Sequence, residues 1–302
     1  MEYWHQTFDV IVIGSGFAGL SAAIEARESG ASVIVLDPKG NVAGVRMLDG
    51  HGYRYPTRGT DLSIKANRAV VLSTGGFGSD IPFRTSQDPR LTEKIDTTNK
   101  PFATAEALKE TLRIGATPVH LSHIQLGPWA SPDEKGFGVG PVFSDYVVFL
   151  YGIVVDPATG KRFINELSDR KTLSDALFRI GHPCIGIADS GAVESRGWDL
   201  GPGLKKGVIK KFDSMEDLAA AYGVPAHELK ATVDRYNSHV EDGTDREFGR
   251  EVLPDASPIA QPPFFGMRLW PKVHFTMGGP DQYQGSGHNG LLLKCLVLLG
   301  SG

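Results

Sequence analysis

The sequence has few of the residues that metal sites, disulfide frameworks and nucleic-acid surfaces require. Only two of its 302 residues are cysteines, Cys184 and Cys295, too few for a zinc cluster or a set of disulfides. The histidines are scattered without the spacing of metal ligands, so no metal site is predicted. Lys and Arg total 31 against 35 Asp and Glu, and this slight acidic excess favours no nucleic-acid partner.

Long apolar runs are also absent. None reaches the roughly 20 residues that span a bilayer. The opening "MEYWHQT" lacks the positive start and apolar stretch of a signal peptide. We therefore expect a soluble chain with no membrane span, in the cytoplasm or the periplasm. Its 302 residues, 41% of them hydrophobic, can form two domains or one domain with a large insertion.

The first forty residues follow the order strand, turn, helix, strand. Apolar runs at Val10–Ile13 and Val33–Val35 flank a helix-like stretch. After the first run, Gly14, Gly16 and Gly19 form the pattern G-x-G-x-x-G. Such glycines allow a tight turn, close approach of a pyrophosphate, and close packing of helix on strand. A glycine turn without a ligand is the alternative, but the order of the elements favours a dinucleotide site.

Asp37 closes the second strand, about 20 residues after the glycines. An acidic side chain there accepts hydrogen bonds from ribose hydroxyls and repels a 2′-phosphate. This position therefore favours FAD or NAD over NADP.

A second glycine-rich stretch follows another strand-like run, Ala69 to Leu72, and contains Thr74, Gly75 and Gly76. Glycines after a strand permit close approach of a ligand or of another backbone. Alone, the stretch would be read as an ordinary turn. After a dinucleotide fold it resembles the second flavin contact of two-dinucleotide-domain flavoproteins, so these three residues are expected to bind cofactor.

Residues 213–240 predict two helices. Asp213 or Ser214 is suited to cap the first, and Pro225 to open the second. Apolar side chains recur at helical spacing in the second, at Leu229, Val233, Tyr236 and Val240.

Three motifs in order along the chain carry a resemblance to a known family: "STGGFG" (73–78), "GKRFINELSDR" (160–170) and "HFTMGG" (274–279). Together with the opening fold, they resemble the flavoprotein subunit of the fumarate reductase and succinate dehydrogenase family, especially the soluble flavocytochrome c type. The resemblance implies an α/β fold in which a doubly wound, Rossmann-like FAD-binding domain (1–126 and 274–302) carries an inserted α+β capping domain (127–273). It also implies non-covalent FAD, with Gly278 and Gly279 beside the flavin.

The resemblance further implies three catalytic residues. A lone His beside apolar residues is more often a structural core residue, but the resemblance gives His274 a hydrogen bond to a substrate carboxylate. Glu166 and Arg170 stand four residues apart, a spacing that allows an ion pair on one helical face. An exposed pair of this kind would be worth little, whereas the resemblance makes the two residues a proton relay.

The sequence departs from this family at several points. Gly127 stands where the family has a second substrate histidine in an "HPT"-like motif, so we expect a substrate other than fumarate, with a single carboxylate. The expected proton-donor arginine is missing from "ADSGAVESRG", where Arg196 comes only further on. The chain is also shorter than the family after residues 40 and 280.

The resulting prediction is an FAD-dependent oxidoreductase acting on CH–CH bonds, which reduces an activated alkene such as fumarate or another enoate by hydride transfer from flavin. A cytochrome or other electron-donor protein is the expected partner. Two alternatives stay open: a flavin-binding remnant with an incomplete active site, and a flavin dehydrogenase of the ketosteroid type.

Overall fold

The structure, a computed structural model, describes residues 4–14, 16–36, 44–49, 60–113, 116–194 and 197–280. The chain divides into two compact units. Unit 1 comprises Met1–Lys94, Asn99–Ile124 and Phe275–Gly302, and unit 2 comprises Ile95–Thr98 and Gln125–His274. Within the described ranges, no helix combines the length and apolarity that a membrane crossing requires.

Unit 1 is built on a four-stranded sheet in the order β2-β1-β4-β3. Strand β1 runs parallel to both β2 and β4, while β3 is antiparallel to β4. The strands are β1 (Gln6–Ile13), β2 (Val33–Leu36), β3 (Gly44–Asp49) and β4 (Thr60–Leu72), and helix α1 (Phe17–Glu28) joins β1 to β2. Because β1 is the central parallel strand, its buried residues Ile11, Val12 and Ile13 form the middle of this core.

The remainder of unit 1 follows β4. Its elements are α2 (Ile81–Gln87), α3 (Glu106–Arg113), β5 (Pro118–Val119) and, near its end, β13 (Gly279–Pro280), which pairs with β5. Helix α2 begins where the Asp80 carboxylate accepts a hydrogen bond from the Phe83 amide. The buried Arg84 side chain donates to the carbonyls of Gly78, Leu91 and Thr92, which fixes the end of the second glycine stretch.

Unit 2 contains a five-stranded antiparallel sheet in the order β10-β11-β9-β7-β8. Its strands are β7 (Ile153–Asp156), β8 (Lys161–Arg162), β9 (Cys184–Asp189), β10 (Lys210–Phe212) and β11 (Phe264–Leu269). A separate two-stranded sheet joins β6 (Ile124–Gly127) to β12 (Lys272–Thr276). Every residue of β9 is buried, because apolar clusters pack on both sides of this strand.

The helical segments of unit 2 include two short helices around a π-helical turn, Ser144–Val148. The helices are α4 (Pro141–Phe143), α5 (Phe149–Tyr151), α6 (Arg170–Ile180), α7 (Ser190–Glu194), α8 (Gly201–Lys206), α9 (Met215–Tyr222) and α10 (Ala226–Glu241). The two helices expected in 213–240 are confirmed, with Ser214 capping α9 and Pro225 at the start of α10.

The two units differ from the expected domain boundaries in three respects. Gln125 and Leu126, expected at the end of the first FAD-binding segment, lie in unit 2. His274, placed with the FAD-binding domain by the sequence, belongs to unit 2. A short segment, Ile95–Thr98, also joins unit 2, because Thr97 bridges to Val273 beside β12. The assignment of 127–273 as a capping domain stays a prediction.

Candidate active site

Two of the three glycines in the turn between β1 and α1 are required by close packing. Gly14 has φ +109°, and a Cβ there would collide with the Ser73 carbonyl oxygen. A Cβ at Gly19 would overlap the Gly14 carbonyl, so the helix can approach the turn only without a side chain. At Gly16 a Cβ would meet no atom of the described, non-adjacent residues within 4 Å. The turn is therefore tight where it packs and open where a phosphate would approach.

Helix α1 presents a free N-terminus at this turn. It begins at Phe17 after Gly16. No side chain in the described part of the chain caps it, and its first turn has no acidic residue. The first amides of a helix have no intrahelical partner and attract anions. An uncapped helix start beside an open glycine fits the pyrophosphate of FAD. Asp37 lies outside the described residues, so its ribose contact stays a prediction.

The second glycine stretch contacts Thr276 of "HFTMGG" within unit 1. The Phe77 amide donates to the Thr276 hydroxyl at 3.2 Å, and a Cβ at Gly76 would overlap that hydroxyl. Thr74 and Gly75 precede this contact. The contact with Thr276 does not test their role in cofactor binding, which stays a prediction.

Gly278 and Gly279 pack against a neighbouring backbone. A Cβ at Gly278 would overlap the main chain of His120, and Gly279 pairs with Val119 across β13 and β5. Backbone packing thus accounts for a glycine at 278. The expected proximity of both glycines to the flavin stays a prediction.

His274 lies on β12 and is only 8% exposed. Its Nδ1 is 2.8 Å from the Thr98 hydroxyl. The Trp129 ring lies edge to face with the imidazole at a centroid distance of 5.0 Å, and the Phe137 ring at 6.3 Å. Burial, and then the positive charge of Arg170, lower the pKa of His274 to about 4. The imidazole is therefore neutral near pH 7.

Arg170 is the first residue of α6 and lies near this histidine. Its Nη1 donates to the Gln125 Oε1 at 3.1 Å, and its guanidinium carbon is 5.9 Å from the centre of the Trp129 ring. We refer to Gln125, Trp129, Phe137, Arg170 and His274 as the His274 cluster. It combines one cation, one neutral imidazole and two aromatic rings.

Phe137 belongs to a loop that a buried lysine holds in place. Lys272, 2% exposed, donates to the carbonyls of Glu134 and Gly136 and forms an ion pair with Asp96 at 3.2 Å. The Glu134 carboxylate accepts hydrogen bonds from two amides further along the loop, at 2.8 Å each. These contacts fix the loop that carries the Phe137 ring.

Glu166 does not pair with Arg170, so this expectation was wrong. Its buried carboxylate accepts hydrogen bonds from Arg162 at 2.9 and 2.7 Å and from Arg250 at 3.2 Å. The reason is the start of α6. Asp169 caps that helix by accepting amide hydrogen bonds, so Glu166 precedes the helix and the four-residue spacing has no helical meaning.

Arg162 also donates to Asp245 at 2.9 Å. We call Arg162, Glu166, Asp245 and Arg250 the Glu166 network. The part of Glu166 in a proton relay stays a prediction, and its observed contacts are those of a buried ion-pair network.

Two residues of the cluster, and Asp145 outside it, carried no signal in the sequence. Trp129 lies two residues after Gly127 but belongs to no recognised motif, and Gln125 looks like an ordinary strand residue. Asp145, in the π-helical turn, is half-buried, and burial raises its pKa against the opposing charge of Arg170. The signal for Asp145 is structural, because π-helical turns occur frequently at functional sites.

The segment after β9, where the related family has its proton-donor arginine, is described only in part. Ser190, Gly191 and Ala192 form α7, and Arg196 lies outside the described residues. Among the residues that are described, no group of three or more His, Cys, Asp or Glu side chains is arranged to hold a metal ion.

Comparison with known proteins identifies related sequences. The FAD binding domain family matches residues 9–46 and 39–281. The acrylate reductase flavoprotein subunit of Shewanella woodyi is 43% identical, over 81% of this chain and 49% of that protein. The NADH:acrylate oxidoreductase of Vibrio harveyi is 30% identical, over 80% of this chain and 23% of that protein. This chain thus spans half or less of the length of these curated relatives.

A solved structure is similar in fold. The open conformation of a flavocytochrome c3 fumarate reductase matches with a TM-score of 0.66 at 20% identity, over 91% of this chain and 69% of that one. This confirms the expected α/β fold with an inserted α+β part. The resemblance to fumarate reductase flavoproteins is likewise confirmed, and FAD is the cofactor. The chain belongs to the FAD binding domain family.

Proposed function

We propose that this protein reduces the carbon–carbon double bond of a 2-enoate that carries one carboxylate, such as acrylate, with FAD as its redox cofactor. The observation that supports this most directly is the His274 cluster, in which one guanidinium and one neutral imidazole lie beside two aromatic rings. One cation suits one carboxylate, and the rings suit a short apolar chain. Two of the curated relatives are named for acrylate.

The carboxylate is held by Arg170 and His274. Hydrogen bonds from a guanidinium to a carboxylate are charge-assisted and therefore among the stronger ones in proteins. His274 can donate to the carboxylate when Nε2 carries the proton. That tautomer has the Thr98 hydroxyl donating to Nδ1 across the observed 2.8 Å. Both donors withdraw charge from the carboxylate and so polarise the conjugated double bond.

FAD, when bound and reduced, supplies the hydride that the β-carbon of the enoate accepts. The α-carbon then needs a proton from an acid. Asp145 is the acid that we propose for this step, since burial raises the pKa of its carboxyl group and Arg170 lies close enough to influence it electrostatically. We propose Asp145 as the proton reservoir and Arg170 as the group that passes the proton on, in place of the expected route from Glu166.

Electrons are proposed to reach FAD from a redox partner, a cytochrome or another electron-donor protein or domain. The Vibrio harveyi relative is named for NADH as donor, and this chain covers 23% of it. The remainder of such a protein is long enough to contain a separate electron-accepting domain.

The direct test is reoxidation of the reduced flavin. The FAD-loaded chain is reduced with dithionite under anaerobic conditions and mixed with acrylate, crotonate or fumarate in a stopped-flow spectrometer. We expect rapid return of the oxidised flavin spectrum with acrylate and slow return with fumarate. If no enoate reoxidises the flavin while ferricyanide does, the proposal is wrong and the remnant alternative gains support.

The ketosteroid alternative predicts the reverse direction of electron flow. Oxidised protein mixed with a 3-ketosteroid would then bleach the flavin absorbance, and acrylate would not reoxidise the reduced form. The same preparation thus separates the two activities.

A further inference from the structure

We propose that Trp129 determines which carboxylates the protein accepts. Its indole N–H donates a hydrogen bond to the bound carboxylate, and its ring fills the space beside Gly127 that a second carboxylate would need. This inference rests on the proposed enoate reduction and deepens it, since it assigns specificity to a residue outside the three motifs.

The indole nitrogen of Trp129 is a buried donor without an acceptor. Trp129 is 2% exposed, and nothing in the part of the chain that the structure describes accepts a hydrogen bond from its Nε1. Buried polar groups in folded proteins are nearly always hydrogen-bonded, so an exception requires an explanation. A ligand that accepts this hydrogen bond would explain the unsatisfied N–H.

The unsatisfied N–H lies beside Gly127. A Cβ at Gly127 would lie 2.9 Å from Cζ2 and 3.1 Å from Cε2 of Trp129, and Cε2 is the ring atom bonded to Nε1. Any side chain at position 127 would therefore push against the indole. The glycine and the tryptophan form one steric unit, in which the ring occupies the volume that residue 127 leaves empty.

The indole is anchored by the backbone around it. The Ser144 hydroxyl donates to the Trp129 carbonyl at 2.6 Å, and the Ala130 amide donates to the Gly127 carbonyl at 3.3 Å. These bonds fix the main chain at Trp129, and the rings of His274 and Phe137 pack against the indole and restrict its rotation.

The surroundings of the ring suit one anion. The Arg170 guanidinium carbon lies 5.9 Å from the centre of the Trp129 ring, the His274 ring centre 5.0 Å from it, and the ring centre of the exposed Phe137 5.1 Å from it. A first carboxylate would meet the guanidinium, the imidazole and the indole N–H. A second would lie against aromatic surface without a counter-charge, which is unfavourable for an ion removed from water.

The test compares Trp129→Phe with Trp198→Phe, a control at an exposed tryptophan, in the FAD-loaded chain. Binding of the unreactive acids propanoate and succinate is measured by calorimetry, and KM is measured with acrylate. We expect Trp129→Phe to weaken propanoate binding and to raise KM by about tenfold, the effect of losing a hydrogen bond to a charged group. The control should change neither quantity.

A double variant tests the steric half of the inference. Gly127→His with Trp129→Thr removes the ring and introduces the histidine that the related family carries. It should bind succinate at least about tenfold better than the parent does, and propanoate less well. Equal succinate binding in both proteins would overturn the claim that the ring excludes the second carboxylate.

A measurement on the parent protein does not depend on a variant that folds. Labelling with ¹⁵N-tryptophan marks the indole N–H groups of the four tryptophans. Propanoate should move one buried indole resonance to lower field and leave the exposed ones in place. If acrylate reoxidises the flavin but no indole signal moves and Trp129→Phe binds propanoate normally, the inference is wrong and the proposed function stands. If propanoate moves the indole signal but acrylate does not reoxidise the flavin, the proposed reaction fails and the binding role of Trp129 stands.

Discussion

The Glu166 network and the His274 cluster both enclose arginine side chains within unit 2, but only the first balances its charges internally. Two arginines, Arg162 and Arg250, meet two carboxylates, Glu166 and Asp245, with contacts of 2.7 to 3.2 Å. In the cluster, Arg170 bonds the neutral Gln125. No carboxylate oxygen of a described residue lies within 4.0 Å of its nitrogens.

This difference distinguishes a structural polar network from the proposed binding site. A network whose charges are paired inside the protein has little to gain from a ligand. The His274 cluster has a guanidinium without a carboxylate partner among the described residues, a neutral imidazole, and an indole N–H without an acceptor there. A carboxylate ligand would form an interaction with each of these three groups. One motif, "GKRFINELSDR", supplies both, because Arg162 and Glu166 face the network while Arg170 begins α6 in the cluster.

The largest expected effect comes from breaking the network. Glu166→Gln removes a carboxylate whose side chain is fully buried and leaves two arginines undercompensated. We expect a loss of about 3–5 kcal/mol in the free energy of unfolding, measured by urea denaturation. Asp175→Asn, which breaks an exposed ion pair with Lys171, is the control and should cost at most about 1 kcal/mol.

The same variant tests the expected proton relay. If Glu166→Gln keeps its stability but loses turnover per folded molecule, Glu166 acts in catalysis. The interpretation of the Glu166 network as purely structural would then be wrong.

The second prediction concerns the cation of the cluster. Arg170→Gln should raise KM for acrylate by up to about a hundredfold, because a charge-assisted hydrogen bond to the carboxylate is lost. Unfolding should change little, since the hydrogen bond to Gln125 is the main internal bond removed. Arg179→Gln, an exposed arginine on the same helix, is the matched control. An unchanged KM in Arg170→Gln would remove Arg170 from the proposed site.

A smaller effect is expected at His274, which contributes a neutral donor. His274→Ala should lower turnover with acrylate about tenfold and retain FAD, because the glycine turn that fits FAD belongs to unit 1. Flavin retention is read from the absorbance spectrum after gel filtration. If stability falls and activity per folded molecule is unchanged, His274 is a core residue without a role in turnover.

The glycine turn could be predicted from the sequence because its three glycines lie within one strand, turn and helix. Gly19 packs against the Gly14 carbonyl of the same turn, whereas the contact of Gly14 with Ser73, the residue after β4, appears only in the folded chain. The start of α9 at Ser214 was equally accessible, since a cap acts over three residues.

The pairing of Glu166 was not accessible in this way. Its partner Arg250 lies 84 residues further along the chain. Asp169 caps α6, so the helix begins after Glu166, and the four-residue spacing does not place Glu166 and Arg170 on one helical face. Trp129 also gave no signal, since its significance depends on His274 and Arg170, which only the folded chain brings near it.

The last prediction is a pH dependence of stability that arises at His274. The pKa of His274 falls from 6.5 to about 4 in the folded protein. Above pH 6.5 both states leave the imidazole neutral, and its contribution to stability is fully present. Between about pH 6.5 and 4 the unfolded chain takes up a proton that the folded protein refuses, so stability declines as the pH falls. Urea midpoints between pH 7 and 4 should therefore fall more steeply in the parent than in His274→Gln, and His227→Gln, at an exposed histidine, should follow the parent. Arg170→Gln should make the decline shallower, because the positive charge of Arg170 is one cause of the lowered pKa. Parallel curves for the parent and His274→Gln would show that the imidazole is not held neutral by its surroundings, and the case for a neutral donor at the carboxylate would fail with it.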